Sequence, residues 1–154
     1  LLVARGVGLA TLTPLARHAV AAGARVTAVL SARSPELVLS RDELEAAGAE
    51  TLVVTDSDGS SDPAVLAARL RDIHRATPFG FAATCGSNRL FRLLRDLCAE
   101  QGIPGQIALE ARMGCGTGMC FACVAPILGP DGTETYRRVC WDGPVFAIEE
   151  ATGW

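Results

Sequence analysis

The stretch Gly114-Cys115-Gly116-Thr117-Gly118-Met119-Cys120 constrains this chain more than any other. So many glycines cannot form the interior of a helix or strand at reasonable cost, because each loses more backbone freedom on ordering than any other residue. The run therefore predicts a curled loop, and that loop carries thiols. Cys123 follows at once and Cys140 lies downstream, so four of the chain's six cysteines crowd into its last third. The rest is alanine-rich and patterned as helix and strand, with no need of disulfide staples. In a reducing compartment such crowding points to metal or redox chemistry.

The spacing is Cys115-x4-Cys120-x2-Cys123-x16-Cys140. Its first part is the plant-type spacing for [2Fe–2S] ligation, which needs four thiolates converging from several sides. Gly114, Gly116 and Gly118 let the loop curl so that backbone N–H groups can face the sulfurs and offset their negative charge. The fourth ligand returns on a hairpin predicted over residues 123–128 and 134–139, around Gly129-Pro130-Asp131-Gly132. Cys123 and Cys140 are equidistant from the Asp131–Gly132 junction, so a two-residue turn there sets them directly opposite, with Cβ atoms about 5 Å apart. Pro126 and Pro130 each lack a ladder donor and leave room for a slip of one residue. Structural zinc is the rival, but four-cysteine zinc sites pair two short hooks rather than one hook and a distant cysteine. The cluster is preferred to zinc, and zinc to free thiols.

Residues 1–109 alternate short β-branched runs with helical patterns, predicting a five-stranded, parallel, Rossmann-like sheet. Strands are expected at 1–4, 25–30, 50–55, 79–84 and 106–109. Thr11 or Thr13 can cap a first helix with Pro14 in its first turn. Asp62 caps another with Pro63 at its first position, and Leu66, Leu70 and Ile73 bury one face. The helix at 88–101 sets Leu90, Leu94, Leu97 and Cys98 against Arg89, Arg92, Arg95 and Asp96, and Gly102 ends it. Cys98 on that stripe reads as a buried hydrophobe. The second unit, residues 110–154, is a small β-rich iron–sulfur domain, with Trp141, Phe146 and Trp154 expected as its packing.

Gly6-x-Gly8 follows the first strand and opens a helix, the context for a pyrophosphate at a helix N-terminus. Thr55, Asp58 and Gly59 follow the third strand, Arg33 the second, and Cys85-Gly86 end the fourth. All lie at strand carboxyl ends, where open α/β sheets bind ligands. Together they form a candidate site for NAD(H) or NADP(H). Taken singly, Arg33 also reads as a solvated charge and Cys85 as core. His18 and His74 have no ligand spacing and read as surface or capping residues.

An apolar fraction of 49% with 20% charged residues describes a packed globular chain, and a net charge of −3 without a basic stripe gives no footprint for nucleic acid. No run approaches the roughly 18 apolar residues of a membrane span, and the cysteines suit the cytoplasm. The strand-like opening, interrupted by Arg5 and two glycines, reads as a start at a domain boundary rather than a signal peptide.

The Gly-x-Gly turn, the run TDSDGS and the Cys-Gly after the fourth strand resemble the NAD-binding domain of the ferredoxin–NADP reductase superfamily. The tail, MGCGTGMCFACV followed by YRRVCWDGPVF, is similar to the iron–sulfur domain of the electron-transfer subunits of NAD-dependent dihydroorotate dehydrogenases. The resemblance implies an N-terminal barrel carrying most of an FAD site, which these residues do not include. It further implies a relay among NAD(H), FAD and the cluster, serving a partner catalytic flavoprotein in pyrimidine biosynthesis, with no catalytic residue of its own. Related subunits serve ferredoxin:NADP reductases, sulfide dehydrogenases and hydrogenases; a nucleotide-binding module with structural zinc is the alternative of another class. Arg5 stands where the family usually has glycine, and Thr11 where it usually has proline.

Overall fold

The computed structural model describes residues 1–153. Its main sheet joins β1 (Leu2–Arg5), β2 (Thr27–Ala32), β3 (Glu50–Thr55), β4 (Ala82–Cys85) and β5 (Gly105–Ala108), all parallel. A parallel sheet needs cover on both faces. Helices α1 (Gly8–Ala21) and α2 (Arg41–Ala46) contribute Leu9, Leu12 and Leu44 to one face, against Leu2, Ala4, Ala28 and Leu30. Helices α3 (Pro63–Ala76) and α4 (Asn88–Gln101) bring Leu66, Leu70, Leu90, Phe91 and Leu94 to the other, against Val3, Val29 and Val54. The strand residues sort between faces by the two-residue period of the pleat.

Local chemistry sets the helix ends. Asp62 accepts from the N–H groups of Ala64 (2.9 Å) and Val65 (3.3 Å), and Pro63 fills a position whose N–H would have no helical partner. Gly102 takes φ +66° after α4. The first helix departs from expectation: it begins at Gly8, and Thr11, Thr13 and Pro14 all lie inside it. Space decides this start, since a Cβ on Gly8 would stand 2.5 Å from the Cys85 carbonyl oxygen, so only glycine lets the helix begin against the β4 turn.

Beyond residue 110 the chain forms a hairpin, β6 (Val124–Leu128) and β7 (Glu134–Arg138), then a helical turn α5 (Val139–Asp142) and strand β8 (Val145–Ala147). Strand β8 pairs antiparallel with β5, giving the order β3-β2-β1-β4-β5-β8. The sheet therefore has six strands rather than five, and its edge is antiparallel. The tail ties hairpin and sheet together: Ile148 N–H donates to Gly105 (2.9 Å) and Leu128 N–H to Glu150 (2.7 Å). Cys123, Ala125, Ile127, Val139, Phe146 and Ala151 share one apolar cluster with the α3–α4 face, so the expected two units share a core. Phe146 packs there, whereas Trp141 is exposed; Trp154 lies outside the described residues. None of the described helices is long and apolar enough to cross a membrane.

Candidate metal centre and nucleotide edge

The hairpin register differs by one residue from the symmetric expectation. Leu128 pairs with Glu134 across a five-residue loop, so Val124 faces Arg138 and the Val139 N–H donates to the Cys123 carbonyl (2.9 Å). An odd loop moves the midpoint from the Asp131–Gly132 junction onto Asp131. Cys140 accordingly lies one residue past the pairing and is brought back to Cys123 by α5. Its N–H donates to Cys123 Sγ at 3.4 Å.

The other two sulfurs meet within the loop. Cys115 N–H donates to Cys120 Sγ (3.4 Å), and Thr117 N–H donates to Cys115 Sγ (3.4 Å). Gly114 passes so close to Cys120 that a Cβ there would sit 2.9 Å from its sulfur. The four thiols thus fall into two neighbouring pairs, Cys115 with Cys120 and Cys123 with Cys140. Among the described residues, no three cysteine, histidine or carboxylate side chains converge on a single-ion site. Two pairs suit a two-iron cluster, which takes two protein ligands on each iron; one tetrahedral ion needs all four together.

Electrostatics favour thiolate at Cys115. The Thr117 side chain, then the N–H groups of Thr117 and Cys120, lower its pKa to about 6. The Cys140 N–H holds Cys123 low, while its neighbour Cys123 holds Cys140 high. The Gly118 N–H also faces the Cys140 thiol, linking one pair to the other. Cys115 and Cys120 are exposed and Cys123 is buried.

The nucleotide candidates line the carboxyl edge. The β1–α1 and β4–α4 turns touch where the strand order reverses, with Gly6 at φ +58°, Gly86 at φ +91°, and a Gly86 Cβ excluded by the Arg5 carbonyl at 2.6 Å. Such a reversal is where open α/β sheets form their ligand crevice. Cys85 is buried beside it, 3.8 Å from Glu110 Oε1, and burial first, then Glu110, raises its pKa against the lowering effect of Thr11. Thr55, Asp58 and Gly59 form a self-tied turn: Ser60 donates to Asp58 Oδ1 from its N–H (2.9 Å) and its hydroxyl (2.5 Å), and Thr55 N–H donates to Ser60 Oγ (2.8 Å). Arg33 is exposed one strand away. Cys98 is core, its pKa raised by burial to about 11, and His74 Nδ1 accepts from Phe79 N–H, a capping role.

Two features escape a reading of sequence alone. The first is Arg5, whose guanidinium reaches across the strand ends to Asp56 (2.5 Å) and Ser31 Oγ (3.0 Å), and Arg89 joins at Asp56 (3.1 Å). Arg5, then Ser61, holds the Asp56 carboxyl well below the usual carboxylate range. No spacing rule links positions 5, 56 and 89. Arg138, the second feature, pairs with Asp142 in α5, whose pKa it lowers to about 2. A cleft lined by Leu1, Leu15, Val26, Pro78 and Phe81 lies at the opposite, amino edge.

Residues 110–152 match the family described as the iron–sulfur cluster binding domain of dihydroorotate dehydrogenase B. The chain is 38% identical over 152 residues to the electron transfer subunit of dihydroorotate dehydrogenase B (NAD(+)) from Bacillus caldolyticus, covering 97% of this chain and 56% of that protein. Identity and coverage are the same for the subunit from Geobacillus kaustophilus. The chain thus spans little more than half the length of these relatives. Among solved structures, a chain of an NADH-dependent reduced ferredoxin-NADP oxidoreductase superposes with TM-score 0.79 at 30% identity, over 99% of this chain and 53% of its own. The C-terminal domain of a Pyrococcus furiosus hydrogenase superposes with TM-score 0.58 at 16% identity, over 70% of this chain and 88% of its own, a likeness of fold. The chain resembles the electron-transfer subunits, as its cysteine spacing and its RVCWDGPVF run imply.

Proposed function

We propose that this chain is the part of a dihydroorotate dehydrogenase electron-transfer subunit that binds nicotinamide nucleotide and holds a [2Fe–2S] cluster. It works with FAD and with a catalytic flavoprotein partner in cytoplasmic pyrimidine biosynthesis. When bound, the flavin and the cluster supply the conversion between the two-electron chemistry of a nicotinamide and single-electron transfer. The observation that carries this reading is the sorting of four thiols into two pairs on one loop and one hairpin end.

The residues divide the work. Cys115 and Cys120 would hold one iron, and Cys123 and Cys140 the other. The N–H groups of Cys115, Thr117 and Cys140, each 3.4 Å from a sulfur, offset the thiolates' charge. Gly6 and Gly8 open the β1–α1 turn to a pyrophosphate at the start of α1. Thr55, Asp58, Gly59, Arg33, Cys85 and Gly86 border the rest of the dinucleotide. The cluster loop leaves β5 at its carboxyl end, so both sites lie toward one edge of the sheet. FAD is held mostly by the N-terminal barrel that the resemblance implies.

The likeness to the ferredoxin-NADP oxidoreductase chain supports a second reading, a relay subunit for a different flavoprotein. Rapid mixing of the flavin-loaded, full-length protein with NADH or NADPH, followed by low-temperature EPR, tests the common part. Flavin bleaching followed by the signal of a reduced [2Fe–2S] cluster is expected. No bleaching by either nucleotide would remove the nicotinamide role. Electron delivery from dihydroorotate through a dihydroorotate dehydrogenase partner separates the first reading from the second.

A further inference from the structure

The Arg138 side chain spends its donors on both halves of the cysteine site. Its Nε donates to Asp142 Oδ2 and its Nη2 to Asp142 Oδ1, each at 3.0 Å, and its own backbone N–H donates to Oδ2 at 2.8 Å. These bonds fix α5, the turn that carries Cys140. The remaining arm points the other way, with Nη1 donating to the Gly118 carbonyl at 3.2 Å. The guanidinium also lies over the Phe121 ring, 5.1 Å from its centroid, and Phe121 holds an unusual φ of +55° between Cys120 and Cys123. Gly118 is gripped from a second side: a Cβ there would stand 3.1 Å from Trp141 Cβ and Cγ. An ordinary i, i+4 ion pair at a hairpin end accounts for the fork on Asp142. It does not account for the third bond and the ring contact, both made to the loop bearing the other cysteines.

From this geometry we infer that Arg138 is a positioning residue for the cluster, a strap that sets the Cys115–Cys120 pair against the Cys123–Cys140 pair. The inference rests on the cluster reading above. A planar guanidinium can hold a carboxylate bidentately and still offer a donor in a second direction; a lysine ammonium on a flexible stem cannot hold that geometry. Partners one shell out from metal ligands commonly change metal retention by about 10- to 100-fold when removed. Neighbouring Arg137 is exposed and provides a control that removes the same charge one residue away.

The test compares R138Q, R138K and R137Q with the wild-type chain, all loaded anaerobically with iron and sulfide. Cluster release to a chelator is followed by visible absorbance, cluster geometry by visible circular dichroism and EPR after reduction, and the sheet by urea midpoint. R138Q and R138K are expected to release the cluster about tenfold faster than wild type, with altered visible dichroism and EPR anisotropy; R137Q is expected to match wild type. Failure of lysine to rescue identifies the fork, not the charge, as the agent. Wild-type release rates and spectra in R138K, or equal behaviour of R138Q and R137Q, would overturn the inference while leaving the cluster reading intact. A wild-type chain that takes up no iron and sulfide would instead remove the cluster reading, and this inference with it.

Discussion

Replacing Gly8 by alanine sets two well-understood effects against each other. Gly8 opens α1 at a helical position, and alanine is favoured over glycine in helices by up to about 1 kcal/mol. Against this, an ideal Cβ would lie 2.5 Å from the Cys85 carbonyl oxygen, 2.7 Å from its carbonyl carbon and 3.2 Å from Gly86 Cα. Comfortable contacts are about 3.5–4.0 Å, so the β1–α1 and β4–α4 turns must part by roughly 1 Å. All three obstructing atoms are backbone, and no side-chain rotation relieves them. Overpacking of this kind costs about 1–3 kcal/mol; with three backbone atoms in the way the cost lies above the low end of that range, exceeds the propensity gain and leaves G8A less stable by up to about 2 kcal/mol. Urea denaturation reads this as a lower midpoint at unchanged slope. G80A is the control, because a Cβ there meets nothing within 4 Å, and it is expected to stay within about 0.5 kcal/mol of wild type. A G8A protein as stable as wild type, or more stable, would refute the close-approach reasoning.

Further outcomes follow from the same structure. C140S is expected to lose the cluster yet keep its helical circular dichroism, since Cys140 only borders the shared core; collapse of the helical signal would show that the sheet depends on the loaded site. The Asp56 pKa is depressed by Arg5, Ser61 and Arg89, so its contribution to stability is present above the ordinary aspartate value and lost as pH falls toward the depressed one. Acid titration of wild type and D56N, followed by circular dichroism, should show a wild-type advantage at neutral pH that shrinks below about pH 4; an advantage that grows with acid would contradict the network.

Much of this was legible because local chemistry carried it. Asp62-Pro63 and Gly102 mark helix ends that tertiary packing leaves in place. The spacing of Cys115, Cys120 and Cys123 pointed to a curled loop, and within it Cys120 Sγ accepts from the Cys115 N–H. What was hidden depends on contacts between distant residues. Strand β8 has three residues after a proline, too few for a periodic signal, and only pairing with β5 makes it a strand. The hairpin register turned on a loop of odd length, which the symmetric placement of Cys123 and Cys140 concealed. The start of α1 was set by the Cys85 backbone rather than by the threonines that could have capped it. Arg5, Asp56 and Arg89 are joined only by the fold, and Arg138 gains its meaning from Gly118 and Phe121.

The metal content of the anaerobically purified chain, measured with its acid-labile sulfide and its Mössbauer spectrum, tests the cluster reading most directly. Two irons and two sulfides per chain, with each iron in a tetrahedral sulfur site, are expected, and loss of either cysteine pair should abolish both irons together. One zinc per chain and no sulfide would contradict it.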